Sequence, residues 1–215
     1  GENCRGDQAA LDREGAELAA VTHGHPLGWM PAAALTHILS RCLAAPEQGL
    51  RAIVREARDA MAALYPGNEH LGTLLGIMDR AMALADRGGG DRENIRALGE
   101  GWVAEETLGI AIYCALRYEN DFSGGIIAAV NHDGDSDSTG AVTGNILGAY
   151  LGERAIDGKW TRDLELRDVI GEVADDLCRG CRMQEYSSCR DPAWERKYVQ
   201  ARRAQEETQE RNGEE

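Results

Sequence analysis

Residues 131–140 (NHDGDSDSTG) form the one stretch of this 215-residue chain whose residue types and spacing together predict chemistry. Three carboxylates, Asp133, Asp135 and Asp137, alternate with glycine and serine. Because ionised carboxylates repel one another, a folded protein places such a group either in open water or around a hard cation. The sequence on both sides is apolar, which argues against a freely solvated loop. We therefore expect a divalent metal ion bound by oxygen donors.

A calcium loop is one metal site that this stretch cannot form. Asp133, Asp135 and Asp137 match the first three ligand positions of an EF-hand, which also needs glycine at its sixth position and a bidentate glutamate at its twelfth. Those two positions hold Ser138 and Gly144 instead. The EF-hand interpretation is therefore excluded.

Two other interpretations of the acidic stretch stay open. The His132-Asp133 doublet is compatible with a helical, metal-dependent phosphohydrolase that recruits further histidines. The available histidines are His23, His25, His37 and His70. Alternatively, Asp137 and Ser138 only cap a helix at the surface. A cap alone does not explain the other acidic and imidazole groups beside it.

The elements that position these residues are predicted to be helices. Apolar residues recur at helical spacing along nearly the whole chain, turn residues separate the segments, and no stretch alternates as a strand does. The fold class is therefore all-α. We expect helices near residues 8–22, 29–44, 47–65, 69–86, 103–118, 122–131, 138–152, 163–179 and 191–209. In this scheme His25 lies in a loop, whereas His37 and His70 lie on helix surfaces.

Glycines recur every four residues after the acidic stretch, at positions 140, 144, 148 and 152. This spacing places them on one face of a helix. A glycine inside a helix costs about 1 kcal/mol relative to alanine, so a compensating interaction is expected. We predict that a second helix packs closely on this face and that the glycine-bearing helix is a buried, central element.

Composition and charge exclude several classes of function. With 43% hydrophobic and 28% charged residues, the chain is predicted to form one globular domain over residues 1–201, followed by a frayed polar tail at 202–215. The formal net charge of −14 repels phosphate backbones and anionic lipids, so we expect neither nucleic-acid nor membrane binding. No apolar run approaches the roughly 18 residues of a membrane span.

The cysteines do not define a metal site. Cys178, Cys181 and Cys189 invite a zinc interpretation, but a fourth ligand at suitable spacing is missing. Reduced, structural cysteines are the simpler explanation, and they are typical of a cytoplasmic protein.

The acidic stretch and its flanks resemble a known family. Residues 130–148 (VNHDGDSDSTGAVTGNILG) closely resemble the C-terminal metal motif of the ADP-ribosylglycohydrolase family, whose members remove ADP-ribose from dinitrogenase reductase or from modified arginine or serine. Residues 101–108 (GWVAEETL) look like the helix that precedes this motif, and residues 22–28 (THGHPLG) look like the Thr-His loop of the family. Residues 194–198 also fit, so the resemblance covers roughly residues 8–200.

The resemblance implies a metal-dependent hydrolase. The expected fold is a single-domain orthogonal helical bundle with a binuclear Mg²⁺ centre, Mn²⁺ being the alternative ion. The expected reaction is hydrolysis of an N- or O-glycosidic bond to ADP-ribose on a modified protein or small molecule. Carried over from the family motif, Asp135, Asp137 and Ser138 are the metal ligands. Such oxygen donors suit Mg²⁺.

The same resemblance assigns contacts with the substrate. His23 is similar to the family histidine that contacts the ribose. His132 and Ser136 are expected to line the same cleft, and Trp102 to pack on the nucleoside. A core or helix-start role explains Trp102 equally well.

One departure from the family pattern is large. Family members carry an N-terminal region before the Thr-His loop, with a Gly-Asp motif and a Thr/Ser-Asp-Asp-Thr motif that supply further metal ligands and a general base. Residues 1–21 contain no such motif, so no catalytic residue is assigned in this chain. We expect the chain to be the C-terminal portion of such an enzyme, whose exposed apolar surface is covered by the N-terminal segment or by self-association. The alternative is a non-catalytic helical module that binds ADP-ribose or metal.

Overall fold

The computed structural model describes residues 7–180 and 191–200. Every regular element within these residues is helical and none is a strand, so the prediction of an all-α fold is confirmed. The chain divides into two compact units, one within residues 2–161 and one largely within residues 162–215, and each is described by itself. The predicted boundary between domain and tail, at residue 201, lies outside the described residues.

Within its described part, the first unit contains nine α-helices and two short 3₁₀ turns, at Pro46–Gln48 and Glu153–Ala155. The helices are α1 (Gln8–Ala20), α2 (Pro26–Ala44), α3 (Leu50–Leu64), α4 (Leu71–Arg87), α5 (Asp91–Arg96), α6 (Ala104–Arg117), α7 (Phe122–Val130), α8 (Ser136–Leu151) and α9 (Gly158–Thr161). The sequence-based prediction missed α5 and α9, because segments this short carry too little periodicity. None of the described helices combines the length and the apolar character that crossing a membrane requires.

Helix α6 is the central element of the first unit. Residues 107–116 are all buried, and the helix packs against α2, α4, α7 and α8. This run carries no charged residue before Arg117, so every face of the helix can be buried. Helix α8 packs against α2, α6 and α7 but buries only one side, through Thr139, Thr143, Ile146 and Leu147. The prediction that the glycine-bearing helix, α8, is the buried central element is therefore wrong, since α6 has that role.

Close packing on α7 explains part of the glycine face of α8. A Cβ atom at Gly140 would lie 2.7 Å from Val130 Cγ1, and one at Gly144 would lie 3.4 Å from another α7 side chain. A Cβ at Gly148 would meet no heavy atom within 4 Å. Gly152 lies beyond the helix end, with φ at +78°. The predicted close helix pair is thus confirmed at the first two positions and wrong at the last two.

Helix α2 begins at Pro26, three residues earlier than predicted. His25 is its N-cap, because Nδ1 of its ring accepts a hydrogen bond from the backbone N–H of Leu27 at 3.2 Å. Proline suits the first helical position, where its missing N–H would have no partner in the helix. His25 therefore fixes the start of a helix that borders the functional site described below.

The prediction that His37 lies on a helix surface is wrong, because the residue lies in the interior. Its side chain is 3% exposed, and its Nδ1 lies 2.8 Å from a carboxylate oxygen of Asp12, which is 1% exposed. The pair joins α1 to α2. Because a buried carboxylate needs a hydrogen-bonding partner, His37 stabilises the interior position of Asp12.

The second unit contains α10 (Arg167–Arg179), α11 (Pro192–Trp194) and a π-helical segment at Glu195–Gln200 among its described residues. Asp176 accepts a hydrogen bond from the Tyr198 hydroxyl at 2.6 Å and pairs with Lys197. These two partners, Lys197 foremost, lower the pKa of Asp176. A helix is predicted for residues 191–209. Residues 192–200 are helical, and the rest of the predicted range lies outside the described residues.

The described cysteines are unpaired thiols. Burial raises the pKa of Cys42 to about 11 and raises that of Cys114 further, which keeps both protonated and unreactive at neutral pH. Cys178 is exposed. Cys181 and Cys189, which form the candidate zinc motif together with Cys178, lie outside the described residues.

Candidate metal and substrate site

The acidic loop, defined as residues 131–138, links the end of α7 to the first turn of α8. Asp135 immediately precedes α8, and Asp137 and Ser138 lie in its first turn. Asp135 Oδ2 accepts a hydrogen bond from the Ser138 hydroxyl at 3.0 Å, and Asp137 Oδ1 accepts one from the Ser138 backbone N–H at 3.0 Å. The three predicted metal ligands therefore lie together at a helix N-terminus, where the helix dipole favours negative charge.

The two carboxyl groups of this trio interact directly. A side-chain hydrogen bond with Asp135 is the main cause that lowers the pKa of Asp137, and the N–H of Ser138 is the second. When both groups are ionised they repel each other, and a divalent cation between them would relieve that repulsion. Two carboxylates and one hydroxyl form a donor set that fits a hard cation such as Mg²⁺.

Asp133 does not belong to this group, which corrects the expectation that all three aspartates surround one ion. It is exposed, and Arg92 of α5 donates to both of its oxygens, from Nε to Oδ2 at 3.1 Å. Arg92 also lowers the pKa of Asp133. Within the described parts of the chain, no three His, Cys, Asp or Glu side chains are placed to hold one metal ion. The acidic loop thus has two carboxylates, those of Asp135 and Asp137, that could bind a metal ion.

His132 braces the acidic loop from inside. Its Nδ1 accepts from the Gly134 N–H at 3.0 Å, and its Nε2 lies 2.9 Å from the hydroxyl of Thr139, which is fully buried. The Thr139 hydroxyl in turn donates to the Ala129 carbonyl at 2.7 Å. Both ring nitrogens are therefore occupied by contacts within the loop and α8.

A cleft of about 810 Å³ lies beside the acidic loop, bounded by the start of α2, the start of α6 and the first turns of α8. Two predicted substrate residues, His23 and Trp102, line it together with the predicted ligand Ser138. Its walls are mainly apolar and include Leu27, Pro31, Leu35, Val103, Leu108 and Val142. His132 and Ser136, also predicted to line the cleft, are not among its lining residues. The structure thus brings together two substrate residues and one ligand.

Trp102 is 82% exposed, so a role in the core is wrong for this residue. It stands two residues before α6 and presents a large apolar ring to the cleft. Such a ring can stack on a planar ligand. His23 lies nearby, with its Nδ1 at 2.8 Å from the Thr22 hydroxyl.

Two acidic residues at the start of α6 were missed by sequence reasoning. Glu105 lines the cleft. Glu106 turns the other way, and its Oε2 accepts hydrogen bonds from the backbone N–H groups of Glu100 at 3.0 Å and Gly101 at 3.1 Å. Acidic residues in a first helical turn are an ordinary helix-start signal, which explains why their positions gave no hint of a functional role.

A model of the ADP-ribosylglycohydrolase family matches residues 3–187, which is most of the chain. The chain belongs to the ADP-ribosylglycohydrolase family. The resemblance of residues 130–148 is therefore confirmed, and so is the all-α fold that it implied. The family implies an enzyme that hydrolyses glycosyl bonds. No curated protein and no solved structure matched this chain.

Proposed function

We propose that this protein removes ADP-ribose from a modified protein or small molecule by metal-dependent hydrolysis of the bond at the anomeric carbon of the ribose. One observation carries the proposal. Asp135, Asp137 and Ser138 come together at the N-terminus of α8, and Ser138 also lines the adjoining cleft. An ion held there would border any ligand in the cleft.

The metal site that we propose is only partly supplied by the described residues. Asp135, Asp137 and Ser138 would hold the ion, and Mg²⁺ or Mn²⁺ both accept such oxygen donors. Three protein donors are fewer than two octahedral ions require. We therefore propose that they form one half of a binuclear centre whose remaining ligands are water and further oxygen donors. When bound, a divalent ion lowers the pKa of a coordinated water and orients substrate oxygens.

The remaining residues of the cleft would bind and orient the substrate. Trp102 offers an exposed ring on which a nucleoside base would stack, and His23, which lines the cleft, would contact a ribose hydroxyl. The apolar walls exclude water from the bound ligand. ADP-ribose carries two phosphates, which the formal net charge of −14 disfavours, so a bound cation would also compensate that charge.

A non-catalytic module that binds ADP-ribose or metal is the second candidate. The small number of donors favours it, since two carboxylates and one hydroxyl bind Mg²⁺ weakly. A His-Asp phosphohydrolase has no such support. Both ring nitrogens of His132 are occupied within the loop, and Asp133 is paired with Arg92.

Release of free ADP-ribose from arginine- and serine-modified peptides tests the proposed function. The assay compares Mg²⁺, Mn²⁺ and a chelator, for the wild type, Asp137→Asn and the control Asp86→Asn, which changes an exposed carboxylate on α4. We expect metal-dependent release that Asp137→Asn lowers at least about 100-fold and the control leaves unchanged. Near-normal release by Asp137→Asn would refute the ligand assignment. Binding of ADP-ribose without release would favour the non-catalytic module.

A further inference from the structure

A tight turn at residues 99–101, here called the glycine turn, joins α5 to α6 beside the acidic loop. Gly99 and Gly101 have φ angles of +130° and +76°, a region that favours glycine. A Cβ atom at Gly101 would lie 2.7 Å from Thr139 Cγ2 and 3.4 Å from the Asp135 carbonyl oxygen. The turn therefore packs directly against the start of α8.

Glu106 holds the glycine turn from the side of α6. A single carboxylate oxygen, Oε2, accepts from two consecutive backbone N–H groups, those of Glu100 at 3.0 Å and Gly101 at 3.1 Å. A Cβ at Gly99 would overlap the Glu106 carboxyl group, so the turn wraps closely around it. Hydrogen bonds to a charged acceptor are roughly twice as strong as neutral ones, so this contact fixes the turn.

The glycine turn in turn holds the acidic loop. The backbone N–H of Asp135 donates to the Glu100 carbonyl at 2.7 Å. A Cβ at Gly134 would overlap the same carbonyl group. The backbone of Asp135, whose carboxyl group is the first donor of the proposed metal site, is therefore fixed to the peptide unit that Glu106 orients.

We infer that Glu106 is a positioning residue, which sets the placement of Asp135 for metal binding through the glycine turn without itself being a ligand. This inference rests on the proposed function for its purpose, but the mechanical link from Glu106 to Asp135 stands on hydrogen bonds alone. Residues in the outer shell of a metal site typically change metal affinity by about 10–100-fold when removed.

An ordinary capping role for Glu106 makes a different prediction. Glutamate in the first turn of a helix often accepts a backbone N–H just upstream, and its loss then lowers overall stability. Such a loss acts on the whole molecule. Positioning, by contrast, predicts a local effect on the Asp135 amide and on the metal site that exceeds the effect on global unfolding.

Amide hydrogen exchange of the metal-free protein tests the link itself. We expect Glu106→Ala to raise the exchange rates of the Glu100, Gly101 and Asp135 amides at least about tenfold, with exchange in α6 little changed. Glu106→Gln keeps an acceptor oxygen and should restore most of the protection. The matched control is Glu119→Ala, because Glu119 Oε1 also accepts two hydrogen bonds, from the Leu50 N–H at 3.1 Å and the Tyr150 hydroxyl at 2.8 Å.

Binding of Mn²⁺, followed by electron paramagnetic resonance, tests the consequence. We expect Glu106→Ala to weaken the Kd about 10–100-fold, and Glu106→Gln and Glu119→Ala to stay within about threefold of the wild type. Gly134→Ala approaches the same contact from the loop side and should reproduce the exchange signature of Glu106→Ala. If Glu106→Ala does not fold, Gly134→Ala still allows the exchange measurement to test the contact.

The possible outcomes separate this inference from the proposed function. Unchanged exchange at the Asp135 amide in Glu106→Ala and Gly134→Ala would overturn the positioning role. The positioning role would also be overturned if exchange at the Asp135 amide changed while the affinity for Mn²⁺ stayed the same. If the wild type binds no Mn²⁺ at all, the proposed metal site fails, and the exchange measurement alone decides whether Glu106 places Asp135.

Discussion

At the scale of single residues, identical side chains in the acidic loop do different things because their partners differ. Asp135 and Asp137 interact with each other and with Ser138, whereas Asp133 is bound by Arg92. Binding a cation would stabilise the negative charges of Asp135 and Asp137, whereas the charge of Asp133 is already compensated by Arg92. Spacing in the sequence grouped the three aspartates, and an arginine distant in sequence separates them.

The pairing of Arg92 with Asp133 predicts a pH dependence of stability. Arg92 lowers the pKa of Asp133 below its unfolded value of about 3.9, so the pair stabilises the fold above that pH and its contribution is lost as the pH falls through the folded pKa. We expect Arg92→Gln to be slightly less stable than the wild type at pH 7, and the difference to shrink from about pH 4 downwards. Urea unfolding across this range measures it.

The double variant provides the control. In an Asp133→Asn background, Arg92→Gln should have no pH-dependent effect, because the titrating partner is gone. A difference between Arg92→Gln and the wild type that stays constant from pH 7 to pH 2 would show that the arginine acts through something other than Asp133.

The buried hydroxyl of Thr139 predicts a larger effect. It bonds the Ala129 carbonyl at 2.7 Å and lies 2.9 Å from Nε2 of His132. Thr139→Val keeps the shape but leaves these groups unsatisfied, so the free energy of unfolding should fall by about 1–3 kcal/mol. Thr73→Val, at an exposed position of α4, should stay within about 0.5 kcal/mol. Equal unfolding free energies for the two variants would contradict the bracing role of Thr139.

At the scale of elements, periodicity predicts the long helices but not what lies between them. The runs in α3, α4 and α6 have apolar residues at helical spacing, and these helices form where they were expected. The buried Asp12–His37 pair and the contact between the glycine turn and the acidic loop join residues far apart in sequence. No local pattern encodes such a contact, because it depends on how the helices pack.

Helix α8 offers a matched test of glycine packing. Gly148→Ala meets no neighbour within 4 Å, so it should stabilise the protein by about 0.5–1 kcal/mol through helix propensity alone. Gly140→Ala would place its Cβ 2.7 Å from Val130 Cγ1 and should destabilise by about 1–3 kcal/mol. Chemical denaturation compares the two. Stabilisation by both substitutions would contradict the close packing of α7 on α8.

At the scale of the whole molecule, charge and exposed apolar surface oppose each other. The chain carries a formal net charge of −14, which keeps copies apart at low ionic strength. Helix α10 and the residue before it expose an apolar stripe made of Leu166, Val169, Ile170, Val173 and Leu177. Exposed patches of this kind favour association once salt screens the charges.

We therefore expect self-association that increases with salt and depends on α10. Sedimentation velocity of the wild type should show oligomers at high ionic strength, and Ile170→Glu should reduce them severalfold. Asp168→Asn, on the same helix, should leave the distribution close to that of the wild type. A single monomeric species for the wild type at all salt and protein concentrations would be incompatible with this prediction.

The proposed function depends on a divalent cation that the oxygen donors of the acidic loop hold beside the cleft. Anomalous diffraction from crystals soaked in Mn²⁺ tests it most directly. We predict an anomalous peak within about 2.5 Å of oxygens from Asp135, Asp137 and Ser138, and no such peak in Asp137→Asn crystals. A wild-type peak elsewhere, or none at this loop while ADP-ribose is still released, would contradict the proposed metal site.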